Sequence, residues 1–512
     1  MTQVLLFTEC NGSPGWGRDA GCYSIASRLR EAGLRTKVID FFSFFDRERM
    51  QKAVDLFVSN ETLVVGFSST HFSSFLPADF NRWMAEAERS EKNSAWNTYF
   101  PFAPELMEEF FSRIKRKNPL IKIIVGGQKV VQKRKLQERH PGVDIWIEGM
   151  ADVSMVKVCQ QLAKDRQWSR RRVKSEDEFA EYAEFSQSKI HWQADDYLFP
   201  GEALPLEISR GCPFRCTFCD YKKKVRGQLI KEASVLRDQI LEMHQRFGIS
   251  HYMITDFLVN EDPQKMEMVW KVFTGLPFKI EWSGFARLDL LERWPEMRDM
   301  IYESGARSVM WGIESLSGDV GRLIRKNCDV DLVTKLLRFC KDQWKDEVIV
   351  GSGFIVGLPG ETRESMAALL KWIIDHPELL HGFEITPLFI GAYNPEKASR
   401  IAYADIQVNP QKFGYDVRLV DIDGKNVEEW ENRQSGLTKA DCVRAIEELQ
   451  RSSAWGSRKV LGTYHSYSRL RNLGFNHQEL LHAHAGNPVF MDRAQKLFFH
   501  KAETYLTRVF GE

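Results

Sequence analysis

The chain has 512 residues, too many for a single hydrophobic core, so its length predicts about two to four domains. Its 71 lysines and arginines nearly cancel its 70 aspartates and glutamates, which argues against DNA or an anionic membrane as a partner. The N-terminus lacks a basic segment before an apolar core, and no stretch approaches roughly 18 uninterrupted apolar residues, so we expect a cytoplasmic protein with no membrane partner.

Residues 1–164 alternate short apolar runs with amphipathic segments of helical length. The runs predict five strands: Val4–Phe7, Thr36–Asp40, Leu63–Phe67, Lys122–Val125 and Val143–Ile147. The longer segments predict five helices: Ala20–Ala32, Asp46–Ser59, Glu105–Lys117, Val130–Arg139 and Ala151–Lys164. This alternation is typical of an α/β domain with a parallel, doubly wound, Rossmann-like (flavodoxin-like) sheet.

Ligands of doubly wound sheets bind beyond the carboxyl ends of the strands. The loops Thr8–Asp19, Ser68–Phe75 and Gly126–Lys129 are therefore the candidate binding loops. The first of them is rich in glycine but misses the GxGxxG spacing of dinucleotide-binding proteins. The connection 72–103 is unusually long, and we expect it to overhang the ligand end of the sheet; the alternative is a lid without a chemical role.

Residues 165–203 are mixed in charge and lack periodicity, so we predict a linker there. Residues 204–395 resume the alternation of strands and helices. The six predicted strands are Leu204–Ile208, His251–Thr255, Lys279–Trp282, Ser308–Ile313, Val350–Val356 and Gly382–Leu388. Six such units predict a partial (β/α)6, TIM-like barrel, in which active residues lie where the strands end at the carboxyl face.

Three cysteines, Cys212, Cys216 and Cys219, follow the first barrel strand at a spacing of three residues and then two. A [4Fe–4S] cluster normally takes four thiolates, so three would leave one iron open to another ligand. The alternatives are a zinc site or three unrelated buried thiols, but zinc sites usually pair two CxxC motifs and need a fourth ligand. The odd total of nine cysteines is typical of reduced thiols and not of a disulfide framework.

The run Cys212-Pro213-Phe214-Arg215-Cys216-Thr217-Phe218-Cys219 resembles the signature of the radical S-adenosylmethionine (SAM) superfamily. The resemblance implies that the three cysteines hold a [4Fe–4S] cluster whose open iron binds SAM. It also implies that Phe218 lies beside the SAM adenine. These roles come from the resemblance, whereas the spacing alone indicates a cluster loop.

Later strand ends resemble the same superfamily in chain order. The resemblance implies SAM contacts from Asp256, Arg287, Glu314 and the Gly353-x-Ile355-x-Gly357 element. For Arg287 and Glu314, the alternative is an ion pair at the rim of the barrel. A barrel interior suits this chemistry, since a carbon-centred radical must be shielded from water and stray C–H donors.

The segment 1–164 precedes the barrel that resembles a radical SAM core. In this position it resembles the cobalamin-binding domain of the cobalamin (B12)-dependent radical SAM family. Ser68, Gly126 and Gly127 lie in the strand-end segments that carry this resemblance. Glycine lets backbone approach a flat macrocycle closely, although ordinary tight turns are the alternative. The DxHxxG motif that supplies an axial histidine in other cobalamin proteins is absent from the first loop, and His71 is interpreted as a solvated loop residue.

Residues 396–512 carry no motif and are predicted to form a mostly helical domain that recognises substrate or caps the barrel. The segment Ala398–Gly436 is predicted to be irregular. The predicted helices are Lys439–Arg451, which Thr438 would cap, Gln478–Ala485 and Met491–Val509.

The family resemblance implies methylation of an unactivated carbon or phosphorus in a small molecule or peptide, with SAM, a [4Fe–4S] cluster and cobalamin as cofactors and flavodoxin or ferredoxin as electron donor. Three alternatives stay open. The first is a cobalamin-dependent rearrangement or cyclisation without methyl transfer. The second is an RNA-modifying methylthiotransferase, although Cys10, Cys22 and Cys159 share no loop that could hold its additional cluster. The third is a non-catalytic cobalamin or SAM sensor.

Overall fold

The computed structural model describes residues 1–8, 15–69, 104–127, 130, 134–174, 185–220, 228–391, 393, 403–422, 425–452, 464–483 and 487–511. The chain divides into two compact units. Unit 1 comprises Met1–Pro205, Ser234–Ile249 and Arg493–Glu512, and unit 2 comprises Leu206–Ala233 and Ser250–Asp492. The expectations for His71, the insertion 72–103 and the outer parts of the three candidate loops lie outside the described residues.

Unit 1 is built on a six-stranded parallel sheet. Its strands are β1 (Val4–Phe7), β2 (Thr36–Ile39), β3 (Val64–Ser68), β4 (Lys122–Gly127), β5 (Ile145–Glu148) and β6 (Arg172–Lys174). They lie in the order β2-β1-β3-β4-β5-β6 with every neighbouring pair parallel. The strand order reverses at β1, as in flavodoxin-like sheets. The doubly wound fold predicted for this part of the chain is confirmed.

The helices of this sheet are α1 (Ala20–Glu31), α2 (Arg47–Phe57), α3 (Pro104–Lys117), α4 (Arg134–Arg139) and α5 (Ser154–Asp165). Capping fixes where the first two begin, because Asp19 accepts a hydrogen bond from the Gly21 amide at 3.0 Å and Asp46 accepts one from the Arg49 amide at 2.8 Å. On α3 the buried residues recur at helical spacing: Met107, Phe110, Phe111 and Ile114. The periodicity therefore predicted these helices well.

The segment predicted as a linker, 165–203, is partly ordered within unit 1, which corrects that prediction. Arg172–Lys174 pairs with β5 as a sixth parallel strand. Farther on, Trp192 is buried and its ring centroid lies 4.0 Å from that of Tyr23. This strand was not predicted because it has only three residues. One buried residue, Val173, between two exposed cations is too short a pattern to show the alternation of a strand.

A second parallel sheet has its strands in chain order. They are β7 (Leu204–Leu206), β10 (His251–Ile254), β11 (Glu281–Ala286), β12 (Ala306–Glu314), β13 (Ile349–Val356) and β14 (Gly382–Pro387). The order is β14-β13-β12-β11-β10-β7, so β7 and β14 are edges and the sheet is open. This confirms the predicted partial barrel. Between β7 and β10, the strands β8 (Ser209–Gly211) and β9 (Gln228–Ile230) form an antiparallel pair.

Helices separate these strands. They are α6 (Ala233–Phe247), α7 (Pro263–Thr274), α8 (Leu290–Arg293), α9 (Met297–Glu303), α10 (Gly318–Ile324), α11 (Val330–Trp344) and α12 (Arg363–Asp375). Side chains of Asp262, Ser317, Asp329 and Thr362 cap four of them. No helix among the described residues is both long and apolar enough to cross a membrane.

The segment predicted to be irregular, Ala398–Gly436, contains a hairpin, so that prediction was wrong. After the short helix α13 (Asp405–Val408), the strands β15 (Tyr415–Ile422) and β16 (Lys425–Asn432) pair antiparallel, and β17 (Leu437–Thr438) joins them. The sequence between β15 and β16 is Asp-Gly, a strong hairpin signal that was overlooked because charged residues fill much of both strands.

The helices that the structure describes after the hairpin are α14 (Lys439–Arg451), α15 (Tyr464–Arg471), α16 (His477–Leu481) and α17 (Pro488–Phe510). The bounds and the Thr438 capping box of α14 are as predicted, whereas α15 was not predicted. Within unit 2, Ser468 of α15 bonds to Ser283 of β11 at 2.5 Å and lies 3.4 Å from Nε2 of the buried His251, at the start of β10. This helix therefore packs on the barrel strands.

We predict that the packing of α15 weakens in acid. Burial lowers the pKa of His251 to about 4, with Arg471 and Arg307 adding to the effect and Glu281 opposing it. The unfolded chain then binds a proton that the folded chain does not, so this stability is present above pH 6.5 and is lost as the pH falls toward 4, by about 3 kcal/mol.

Thermal unfolding midpoints between pH 4 and 7.5 measure this effect. His251→Asn should be less stable than the wild type at pH 7.5 and should lose less stability on acidification. Equal pH dependence in the two proteins would contradict the assignment to His251.

Candidate active site

The cysteine loop leaves β8 and turns back on itself. Cys212, Cys216 and Cys219 are half-buried and form no disulfide. The Cys219 amide donates to the Cys216 carbonyl at 3.2 Å, which closes a turn between the second and third thiols. Thr217 anchors that turn, because its amide and hydroxyl donate to the carbonyls of Ile324 and Leu323, both at 3.3 Å. The loop is thereby held against the end of α10.

Arg287, just beyond β11, lies against the cysteine loop. Its guanidinium carbon is 4.1 Å from the centre of the Phe214 ring, and Nη1 is 3.8 Å from the Cys216 sulfur. Asp289 holds the opposite side of the guanidinium with bonds of 2.7 Å to Nε and 2.9 Å to Nη2. The Arg287 backbone exchanges two hydrogen bonds with the side chain of Asn260. The structure thus fixes both the position and the direction of this cation.

Asp256, predicted to contact SAM, lies in a fully buried cluster after β10. Its Oδ1 accepts from the Ile208 amide at 2.7 Å, and its Oδ2 accepts from Ser209 Oγ and Lys265 Nζ, each at 2.7 Å. Lys265 also donates to the Leu258 carbonyl at 2.7 Å. Burial alone would lower the pKa of Lys265, but the neighbouring carboxylates more than offset it and raise that pKa. Asp256 therefore binds the strand before the cysteine loop to a buried cation, and both its oxygens are engaged.

Glu261 is a site residue that the sequence reasoning missed. It is buried and lies 3.0 Å from Lys265 through Oε1, while Oε2 has no hydrogen-bond partner among the described residues. Burial raises the pKa of Glu261 despite the opposing effect of Lys265. Burial also raises the pKa of the Cys212 thiol, with a smaller contribution in the same direction from Glu261. An acid five residues after Asp256, in the loop after the second barrel strand, was the available signal.

Glu314 ends β12 with a left-handed backbone, φ 72°, and pairs with Lys326 at 3.1 Å. A Cβ on Gly312 would lie 2.9 Å from Glu314 Oε1 and from Lys326 Nζ, so glycine leaves room for this pair. Arg287 and Glu314 therefore do not form the ion pair considered as the alternative, since Arg287 pairs with Asp289 and Glu314 pairs with Lys326.

The Gly353-x-Ile355-x-Gly357 element lies on β13 and just after it. Gly353 and Ile355 are half-buried on one face, whereas Phe354 and Val356 are buried on the other. Gly357 has φ 88°, and a Cβ there would lie 2.3 Å from the Trp430 ring. Phe218 is half-buried in the cysteine loop. The candidate SAM-contacting residues of unit 2 thus lie near the carboxyl ends of its strands, where the active sites of barrels are found.

In unit 1, the structure brings Ser68, Gly126 and Gly127 together. Ser68 pairs in register with Gly126, and the Ser69 amide donates to the Gly126 carbonyl at 2.7 Å. Gly127 has φ 124°, and a Cβ there would lie 2.6 Å from Ser69 Oγ. That hydroxyl is buried and has no hydrogen-bond partner among the described residues. At the carboxyl ends of β3 and β4, the backbone therefore lies close to a buried hydroxyl that has no partner in the described part of the chain. This arrangement fits contact with a ligand.

The described residues of the first candidate loop pack against other residues of unit 1. Arg18 is fully buried and bonds to Asp40 at 2.9 Å and to Glu202 at 2.8 Å. Trp16 also donates to Glu202 at 2.8 Å and stacks 3.7 Å from Phe41. These residues stabilise the β1–β2 side of unit 1.

Three partly exposed thiols on one anchored loop fit the donor chemistry of an iron–sulfur cluster. Within the described ranges, no three His, Cys, Asp or Glu side chains converge closely enough to bind one metal ion. The thiols of a cubane bind different irons, so they stand farther apart than the ligands of one ion. Three thiols are the protein ligands that a cluster with one open iron would take.

Comparison with known proteins agrees with this geometry. A family model described as the Radical SAM superfamily matches residues 206–373, which contain the cysteine loop and the strand ends discussed above. An anaerobic magnesium-protoporphyrin IX monomethyl ester cyclase from Cereibacter sphaeroides is 22% identical over 52% of this chain and 47% of its own length. The chain spans about half the length of such curated relatives.

Two solved structures cover nearly the whole chain. One is the radical SAM methyltransferase TsrM from Kitasatospora setae, with a TM-score of 0.65, 13% identity and coverage of 97% of this chain and 100% of that one. The other is the cobalamin-dependent SAM radical enzyme OxsB, with a TM-score of 0.58, 15% identity and coverage of 99% and 80%. At such identities these likenesses establish the fold. The family match bears out the resemblance of residues 206–373 to the radical SAM superfamily.

We predict that Asp256→Asn destabilises the folded protein by about 3 kcal/mol, because it breaks a fully buried ion pair with Lys265. Glu267→Gln on the same helix as Lys265 is the matched control, since its pair with Lys271 is exposed and should change stability little. Thermal unfolding of the protein without cofactors measures both. Unchanged stability together with lost SAM binding in Asp256→Asn would instead assign Asp256 to SAM.

Proposed function

We propose that this chain, which carries a radical SAM domain over residues 206–373, is a cobalamin-dependent radical SAM enzyme that methylates an unactivated carbon or phosphorus of a small molecule or peptide. The observation that carries the proposal is the anchored loop of three thiols with Arg287 against it, at the carboxyl ends of a partial barrel. A cluster held by Cys212, Cys216 and Cys219 would supply the electron that cleaves SAM to a 5′-deoxyadenosyl radical.

Residues around the loop offer contacts for the polar end of SAM. Glu261 has a buried carboxylate oxygen with no partner in the described part of the chain, and this oxygen could accept a hydrogen bond from the amino group. Glu314 and Lys326 form a fixed pair that offers an acceptor and a donor. The half-buried Phe218, Gly353 and Ile355 offer apolar and backbone surface for the adenine. These assignments rest on position and chemistry.

Cobalamin binding is proposed for unit 1. The flavodoxin-like strand order supports it, as does the left-handed backbone of Gly127. The Ser69 hydroxyl, which has no partner within the described ranges, adds a buried polar atom at the ligand edge of the sheet. Bound there, cobalamin would carry the methyl group that is transferred. No axial histidine is assigned to it, since the DxHxxG motif is absent.

Methyl transfer is favoured over rearrangement because a solved structure that covers 97% of this chain is named as a methyltransferase. The alternative is a cobalamin-dependent reaction without methyl transfer, since another relative is named as a cyclase. A one-electron donor such as flavodoxin or ferredoxin completes the proposal. The products formed on turnover distinguish the two reactions.

We predict that Cys212→Ala, Cys216→Ala and Cys219→Ala each abolish cluster binding and SAM cleavage, because each removes one of three protein ligands. Cys340→Ala is the matched control, since Cys340 is a buried thiol on α11 away from the loop. Iron and sulfide are counted after anaerobic reconstitution, and 5′-deoxyadenosine is assayed after reduction. Product at the wild-type level from any loop variant would refute the cluster assignment.

We predict that the purified protein retains hydroxocobalamin through desalting, in a base-off form without a histidine ligand. Gly127→Val should reduce retention, because its side chain would enter the space beside Ser69 in a backbone conformation that valine avoids. Gly33→Val is the control, since Gly33 also has a left-handed backbone in unit 1 but faces open space. Absorption spectra after desalting measure retention.

Turnover products complete this test. Methyl transfer should yield S-adenosylhomocysteine and 5′-deoxyadenosine together, because each SAM has a separate role. 5′-Deoxyadenosine without S-adenosylhomocysteine would indicate a rearrangement. Failure to retain any corrinoid would remove cobalamin from the proposal.

A further inference from the structure

We propose that Arg287 is a positioning residue for the cluster: its guanidinium donates to the Cys216 sulfur and thereby raises the reduction potential of the bound [4Fe–4S] cluster. The inference rests on the proposed function, in which that sulfur is a cluster ligand. It assigns Arg287 a target other than SAM, the contact that the family resemblance implied. The contact between Nη1 and the sulfur is 3.8 Å, within the range of N–H···S hydrogen bonds, which are longer than those to oxygen.

The direction of the guanidinium is determined by Asp289. Its two carboxylate oxygens take Nε and Nη2 in a fork, which leaves Nη1 facing the cysteine loop. The backbone bonds to Asn260 fix the start of the side chain. The Phe214 ring covers one face of the guanidinium from within the cysteine loop itself. Rotation of Arg287 away from Cys216 would break several of these contacts at once.

Burial makes this contact effective. Arg287 is 5% exposed, so water screens its charge weakly. The net charge of the Arg287–Asp289 pair is close to zero, but its near end, at the sulfur, is positive.

The expected effect on the cluster follows from charge balance. Reduction adds one electron from the donor to the cluster and moves no proton, so the cluster and its thiolates gain one negative charge. Arginine keeps its proton throughout. A cation that donates to a ligand sulfur stabilises the reduced form more than the oxidised form. Hydrogen bonds to sulfur are among the factors that set the potentials of iron–sulfur clusters.

The test compares Arg287→Gln and Arg287→Lys with the wild type, without SAM. Each protein is reconstituted anaerobically, its iron and sulfide are counted, and its cluster potential is measured by titration followed by electron paramagnetic resonance. Arg287→Gln should lower the equilibrium constant for reduction about tenfold, which is 59 mV toward negative potential. Arg287→Lys keeps the charge but loses the fork with Asp289, so its shift should be smaller and of the same sign. Arg322→Gln is the control, an exposed arginine on α10, and should not change the potential.

An unchanged potential in Arg287→Gln would overturn the inference, and weakened SAM binding in that variant would then assign Arg287 to SAM. If Arg287→Gln takes up too little iron to measure, Arg287→Lys decides, and a wild-type potential there overturns the inference equally. Absence of a cluster from the wild-type protein would refute the proposed function instead. The two failures are therefore distinguishable.

Discussion

The site in unit 2 depends on a lysine that has no contact with water. Lys265 is completely buried, and its ammonium donates to Asp256, to Ser209 and to the Leu258 carbonyl. A buried ammonium is tolerated only when its charge and its protons are all satisfied. The groups that satisfy it come from the start of β8 and from the loop after β10. Because Ser209 lies three residues before Cys212, the same bonds fix the point from which the cysteine loop departs.

Neighbouring charges around that loop are arranged as separate ion pairs. Arg287 pairs with Asp289, and Glu314 pairs with Lys326, so neither pair needs to change its partner when a ligand arrives. Such pre-arranged dipoles act without reorganisation, which makes them effective where charge changes during a reaction. Glu261 differs, because one of its oxygens has no partner among the described residues. The site is therefore rigid around Cys216 and incomplete beside Cys212.

Features set by neighbouring residues in the chain could be predicted from the sequence, whereas contacts between distant segments could not. The strands and helices of both sheets were predictable because their apolar period is local, and the cysteine motif was predictable because three ligands lie on one loop. The Asp423-Gly424 dipeptide would have revealed the hairpin, but the charged strands beside it concealed the alternation. The partners of Arg287 and Lys265 could not be predicted from the sequence, because they depend on which strand ends meet in the folded sheet. Glu261 differs, because its place in the loop after the second barrel strand was a local signal that was overlooked.

The discontinuity of unit 1 constrains how the chain folds during synthesis. The Asp40 amide bonds to Tyr505 at 2.9 Å, Glu503 pairs with Arg49 at 2.7 Å, and Lys501 lies 4.4 Å from the Phe199 ring. Residues 493–511 leave the ribosome only after all of residues 206–492, a delay on the order of tens of seconds. Until then Trp16 and Phe41 lack the ring contacts that Tyr505 gives them, so unit 1 cannot complete its packing before unit 2 has been synthesised.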